Sequence, residues 1–189
     1  MAVKDYTRAV EPAINVLLSG GERLLAASPL VQDPGTSQDV STSDELINLL
    51  DPTILLGLGT HPGNAVQRAV FGRAVTGAPG SLGRRLYEAV GGLLAPKVAV
   101  TDGRLLIVEI DVIPRLSGWR RWFGPSDQVA RGVFEIDRTT ILGAVAAPAG
   151  ALRRGRLLVG FSDGSGCMLV CAPPSLATTV IDAIGAPHP

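Results

Sequence analysis

The residues with the most distinctive chemistry stand side by side. Trp119-Arg120-Arg121-Trp122-Phe123 contains both tryptophans of the chain, one of its four phenylalanines and two arginines. Rings and guanidinium groups together dominate protein-protein hot spots. The same set suits a bilayer surface, where rings enter the interface and arginines meet anionic headgroups. A third arrangement folds the rings back onto the core and leaves the arginines in water. Arg153, Arg154 and Arg156 form a second basic cluster just before the last apolar stretch. Trp119, Arg120, Arg121, Trp122, Phe123, Arg153 and Arg154 are therefore the candidate contact residues, for a protein partner or, as the alternative, an anionic membrane surface.

Residues suited to catalysis are sparse. His61 and His188 are the only histidines. His61 sits in Gly59-Thr60-His61-Pro62-Gly63, a turn composition, and His188 lies in the terminal Pro187-His188-Pro189. A histidine acting as general base needs partners, and no spacing of His, Cys and carboxylates points to them or to zinc. Gly57-Leu58-Gly59 lacks the third glycine of a dinucleotide loop. The run from Gly77 to Arg85 lacks the Gly-Lys-Ser/Thr of a phosphate loop. No cofactor and no metal are expected, and a non-catalytic role is preferred to an enzymatic site around the glycine-rich residues.

Cys167 and Cys171 are four apart on one apolar run, about 13 Å at ~3.3 Å per residue if extended. A disulfide needs Cα atoms within about 7 Å, so the pair reads as two small buried residues with free thiols. That fits a reducing cytoplasm. The N-terminus, Met1 to Asp5, does not read as a signal peptide, and no run reads as a membrane-spanning helix. The expected location is cytoplasmic, with peripheral attachment at the inner membrane face as the variant. A formal net charge of zero and 4% aromatic residues argue against nucleic acid.

The elements that must carry these residues follow from periodicity. Residues 5–18 read as a short helix with Ile14, Leu17 and Leu18 on its apolar side and Pro12 limiting its start. Residues 22–31 read as a strand with Pro29 near its end or at a bulge. Asp33 begins a polar surface loop. Residues 44–96 lose β-branched alternation and read as a helical insert, with helical patterns over 64–75 and 81–90. Lys97 to Asp111 is a hairpin around Asp102-Gly103, apolar on both faces beside the turn. The insert is the expected cover for its outer face. Ile113 to Gln128 reads as a loop, and Val129 to Asp137 and Ile141 to Ala147 as strands.

The last segment is the clearest. Arg156 to Phe161 and Gly166 to Cys171 form a hairpin, for which Asp163-Gly164 suggests a two-residue type I′ turn. That register sets Phe161 opposite Gly166, Val159 opposite Met168 and Leu157 opposite Val170, with both faces buried. A helix follows from Pro174-Ser175, with Leu176, Val180 and Ile184 in line, and Gly185 stops it.

Val98-Ala99-Val100-Thr101-Asp102-Gly103-Arg104-Leu105-Leu106, preceded by Gly21-Glu22-Arg23-Leu24-Leu25, resembles the early strands of bacterial pleckstrin-homology-like (PH/GRAM-like) domains. Phe161-Ser162-Asp163-Gly164 and the final helix continue the same order. The resemblance covers residues 21–31 and 97–185. It implies an α+β domain: a bent, seven-stranded antiparallel barrel plugged by the C-terminal helix, acting as a binding module. The long insert and the lack of a Lys/Arg-rich first hairpin depart from that pattern, and they argue against phosphoinositide binding. The expectation is one domain over residues 1–189, serving as an adaptor for a protein partner.

Overall fold

Leu157, Val159 and Phe161 are buried while Leu158 and Gly160 between them are half-exposed, so this strand hides one face. The computed structural model describes residues 3–31, 33, 73–114, 126–147 and 155–185. The elements in chain order are α1 (Val3–Ile14), β1 (Leu24–Val31), β2 (Val75–Thr76), α2 (Leu82–Gly91), β3 (Lys97–Thr101) and β4 (Arg104–Pro114). They continue with β5 (Ser126–Asp137), β6 (Ile141–Ala146), β7 (Arg156–Phe161), β8 (Gly166–Cys171) and α3 (Leu176–Ile184). The fold is α+β.

The sheet has eight strands in the order β5-β4-β3-β1-β8-β7-β6, with β2 beside β8, and its strand pairs are antiparallel. The end strands β5 and β6 do not pair, so the sheet is open and the expected closed barrel is corrected. β1 joins two halves: Leu24 to Pro29 pair with β3, and Leu30 and Val31 pair with β8. Its bulge falls at Leu25 rather than at Pro29.

One face of the sheet, with α2 and α3, forms the larger core around Val98, Leu105, Ile107, Leu157, Val159, Phe161, Leu169 and Val180. The other face of β1, β3 and β4 is covered by α1, through Val10 and Ile14 against Ala27, Ala99, Leu106 and Val108. The outer cover of the first hairpin is thus α1, not the insert. α1 also starts earlier than expected and carries Pro12 inside it, before a 3₁₀ turn over Asn15–Leu17.

The second hairpin closes differently from the expected type I′ turn. No non-glycine residue among those described has positive φ, whereas Gly164 has φ 77°. The Phe161 carbonyl accepts from the Gly164 N–H, and the Phe161 N–H donates to the Ser165 carbonyl, both at 3.0 Å. This is a three-residue loop with a glycine bulge. The extra residue moves the register by one, to Val159 opposite Cys167 and Leu157 opposite Leu169. Cys167 and Cys171 therefore share the inner face with Val159. The outer face of the hairpin is half-exposed rather than buried. Asp102 and Gly103 also keep negative φ.

The polar cap of α2 comes from this distant turn. The Leu82 N–H donates to the Asp163 carboxylate at 2.8 Å, and the Gly83 N–H donates to the Ser165 hydroxyl at 2.9 Å. Gly83 permits the contact, since a Cβ there would lie 2.8 Å from the Gly166 carbonyl oxygen.

The insert begins and ends within one strand path. Val31 faces Val170, and Val75 faces Cys167, on the same side of β8. The Ala74 carbonyl accepts from the Met168 N–H at 2.7 Å. The chain leaves β8 after Asp33 and returns to it by Ala74. Residues 73–96, placed in the insert by their composition, are instead part of the folded body through β2 and α2. The helical pattern expected over 64–75 lies mostly outside the described residues, apart from its last three positions, which are not helical.

Candidate interaction surface

β4 and β5 outrun the sheet that carries them. The pairing of β4 with β3 ends at Val108 opposite Lys97. The pairing of β4 with β5 continues through Glu109–Arg131, Ile110–Ala130 and Asp111–Val129 to Pro114–Ser126. Among the described strands, this two-stranded ribbon has no further neighbour. Of residues 113–128, expected as a loop, 113–114 and 126–128 instead form the ends of the two strands. β-branched Val108, Ile110, Val112 and Ile113 account for the length of β4.

Side-chain alternation gives the ribbon two faces. Val112 continues the face of Val108 and Ile110, beyond the part that α1 covers. Ile113 and Val129 lie on the opposite face, with Asp111 paired to Val129. Val112 is 60% exposed, Ile113 52% and Val129 50%. At the base, Arg131 Nη2 meets Glu109 Oε2 at 2.7 Å. Lys97 lies in the field of Glu109 and Asp111; burial nonetheless holds its pKa below the ordinary value.

Residues 115–125, with Trp119, Arg120, Arg121, Trp122 and Phe123, join the two ends of this ribbon by chain connectivity, and they lie outside the described residues. Arg153 and Arg154, between β6 and β7, lie outside them too, as do His61 and His188. Arg156 does not belong to an exposed basic cluster. It is 6% exposed, and its Nη2 meets Asp33 Oδ1 at 2.7 Å while Nε pairs with Oδ2. Asp33 is likewise buried, not in a surface loop.

The charged residues of the two resemblance motifs meet one another. Arg104 Nη2 and Nε reach the two oxygens of Glu22 at 2.9 and 3.0 Å. The Thr101 hydroxyl donates to Glu22 Oε1 at 2.6 Å and accepts from the Arg104 N–H at 2.8 Å. Arg104 also donates to the Leu17 carbonyl at 3.0 Å and pairs with Glu135. These bonds to Arg104 hold the Glu22 carboxyl well down, at about 2. The cluster fastens the turn before β1 to the end of β3, to β4, to β5 and to the 3₁₀ turn after α1, and its groups are engaged with each other.

No protein-family model, curated protein or solved structure matches this chain.

Nucleophilic chemistry is poorly served by the two cysteines. Burial pushes the thiols of Cys167 and Cys171 upward, which disfavours the thiolate. Both are free. Tyr6, on α1, is raised to about 12 by burial. Among the described residues, no group of three His, Cys, Asp or Glu side chains could hold a metal ion. No described helix is long and apolar enough to cross a membrane. The surface best suited to contact is the ribbon, and its signal in the sequence is the Val-Ile run at 112–113 together with Val129.

Proposed function

We propose that this chain is a non-catalytic binding module of PH-like fold that contacts a protein partner in the cytoplasm through the β4–β5 ribbon. The observation that carries the reading is the ribbon's projection beyond β3 with apolar residues exposed on both of its faces. Isolated exposed apolar residues are ordinary, but a group of them on an unsupported ribbon marks an interaction site. The connectivity adds weight, because the Trp119 to Phe123 stretch closes that same ribbon. Its rings and guanidinium groups are of the types that dominate hot spots.

Support for the PH-like part comes from seven longer antiparallel strands in one path and a C-terminal helix packed on them. The junction of Glu22 with Thr101 and Arg104 supports it further, since those residues carried the resemblance.

A protein is preferred over an anionic bilayer because Asp111, exposed, stands on the ribbon opposite Val129. A carboxylate there opposes approach to a negatively charged surface. The test is affinity capture with the full chain and with Val112→Asp/Ile113→Asp, alongside co-sedimentation with anionic vesicles. The expected result is one partner retained by the wild type and lost by the variant at unchanged thermal midpoint, with no vesicle binding. Identical capture by both chains overturns the reading. Vesicle binding abolished by Trp119→Ala/Trp122→Ala and by salt replaces it with the membrane one.

A further inference from the structure

We infer that a notch on the outer edge of β5 receives an extended, acidic segment of the protein partner, with one of its carboxylates on Arg85. This deepens the protein-binding reading and rests on it. The notch has a volume of about 420 Å³; its lining joins Leu17, Leu106, Gly132, Val133 and Phe134 to the charged Arg85, Arg104 and Glu135.

Its shape comes from a bulge. Ile107 faces Phe134 and Val108 faces Gly132, so Val133 has no partner across the ladder. Gly132 adds depth, because a Cβ there would reach within 3.9 Å of Leu17 Cδ1. β5 is an end strand, and no other described strand lies along its outer side. Its unpaired backbone groups on that side offer a ladder to an incoming chain. The bulge interrupts such a ladder at Val133. A bound segment therefore pairs along residues 128–132 and turns a side chain into the notch. Val129 and Val133, 50% and 41% exposed, supply apolar contact along the way.

Charge selects the occupant. Two cations border the notch, but Arg104 is held by Glu22 and Glu135. Arg85 is exposed and stacks on Phe134, 5.2 Å from the ring centroid. Among the described residues no carboxylate pairs with it. The ring steadies the guanidinium beside the strand edge. Glu135 also lines the notch but is paired with Arg104, so Arg85 leaves one net positive charge beside Leu17, Leu106 and Val133, complementary to a carboxylate flanked by apolar side chains.

The experiment titrates the ¹⁵N-labelled full chain with two capped peptides, Val-Glu-Leu-Glu-Val and Val-Lys-Leu-Lys-Val. The acidic peptide is expected to shift the amides of Arg85, Gly132, Val133 and Phe134 and to bind about fivefold more tightly than the basic one. Arg85→Glu is expected to reverse that preference, and Arg85→Gln to erase it, both at unchanged thermal midpoint. Absence of shifts along β5 at millimolar acidic peptide overturns the inference. So does equal response to both peptides, or a preference that survives Arg85→Glu. If partner capture depends on Val112 and Ile113 yet is undiminished in Arg85→Glu, only the notch is wrong. Loss of that dependence overturns the wider reading instead.

Discussion

Arg156 grips Asp33 with two guanidinium nitrogens, and the side chains are 5% and 0% exposed. The pair lies 123 residues apart in sequence and closes over the point where the chain leaves β8. Arg156 Nη2 also donates to the Arg73 carbonyl at 3.3 Å, so one guanidinium touches the last described residue before the insert and the first one after it. Removing one member of a buried pair leaves the other charged and unsolvated. Replacing both with apolar groups avoids that penalty. Arg156→Met alone is expected to cost about 3–5 kcal/mol in urea unfolding. Arg156→Met/Asp33→Leu is expected to recover most of the loss. A double variant no better than the single would mean that the pair is not what stabilises this junction.

The exit and return points lie close together on β8, and this has a direct consequence for loop length. Val31 lies opposite Val170, and Ala74 bonds Met168 along the same strand edge. Residues 34–72 thus interrupt a strand path that β1 begins and β2 resumes. Closing a shorter loop between nearby ends costs less chain entropy than a long one. A chain with 34–72 replaced by about four Gly and Ser residues is expected to fold with the core intact. Cooperative thermal unfolding and retained burial of Cys167 and Cys171 against a thiol reagent would check this. A chain without a cooperative transition would show that 34–72 supplies part of the core.

How far the fold was legible depended on sequence distance. α3 followed from Leu176, Val180 and Ile184 and from Gly185, all local signals, and its three apolar residues are buried. The strand over Val129 to Asp137, most of β5, was legible too. The β7–β8 register did not, because Asp-Gly suits both a two-residue and a three-residue turn. The Asp163 carboxylate bonds Ser165 and Leu82, and Leu82 lies 81 residues away. The burial of Arg156 was hidden for the same reason, since its partner is a residue of a polar run. The ribbon was missed because Asp111 and Asp127 are weak strand formers, and they are held in strand by pairing with Val129 and Ile113 across the ladder. Of the candidate contact residues, the sequence pointed to the stretch that closes the ribbon but not to the ribbon itself, nor to Arg85 on Phe134.

Glu22 makes the acid limb of stability a test of the Arg104 cluster. Its carboxyl falls from the ordinary 4.5 to about 2, chiefly through the hydrogen bonds from Arg104, with Thr101 and the Ser19 N–H adding to them. The unfolded chain therefore binds a proton at Glu22 at a higher pH than the folded chain does. Where the unfolded state holds more protons, stability rises with pH. The contribution of Glu22 is complete above its ordinary pKa and is lost as pH falls toward about 2. Glu22→Gln keeps the shape but removes the titration. Urea unfolding of both chains at about pH 7, pH 4 and pH 3 is expected to show a wide stability gap at pH 7 that narrows at each lower step. Some acid dependence remains in the variant, because Asp102, Asp137 and Asp163 also sit below their ordinary values through hydrogen bonds. A gap of constant width across the three conditions would mean that Glu22 is not the group that Arg104 holds ionised.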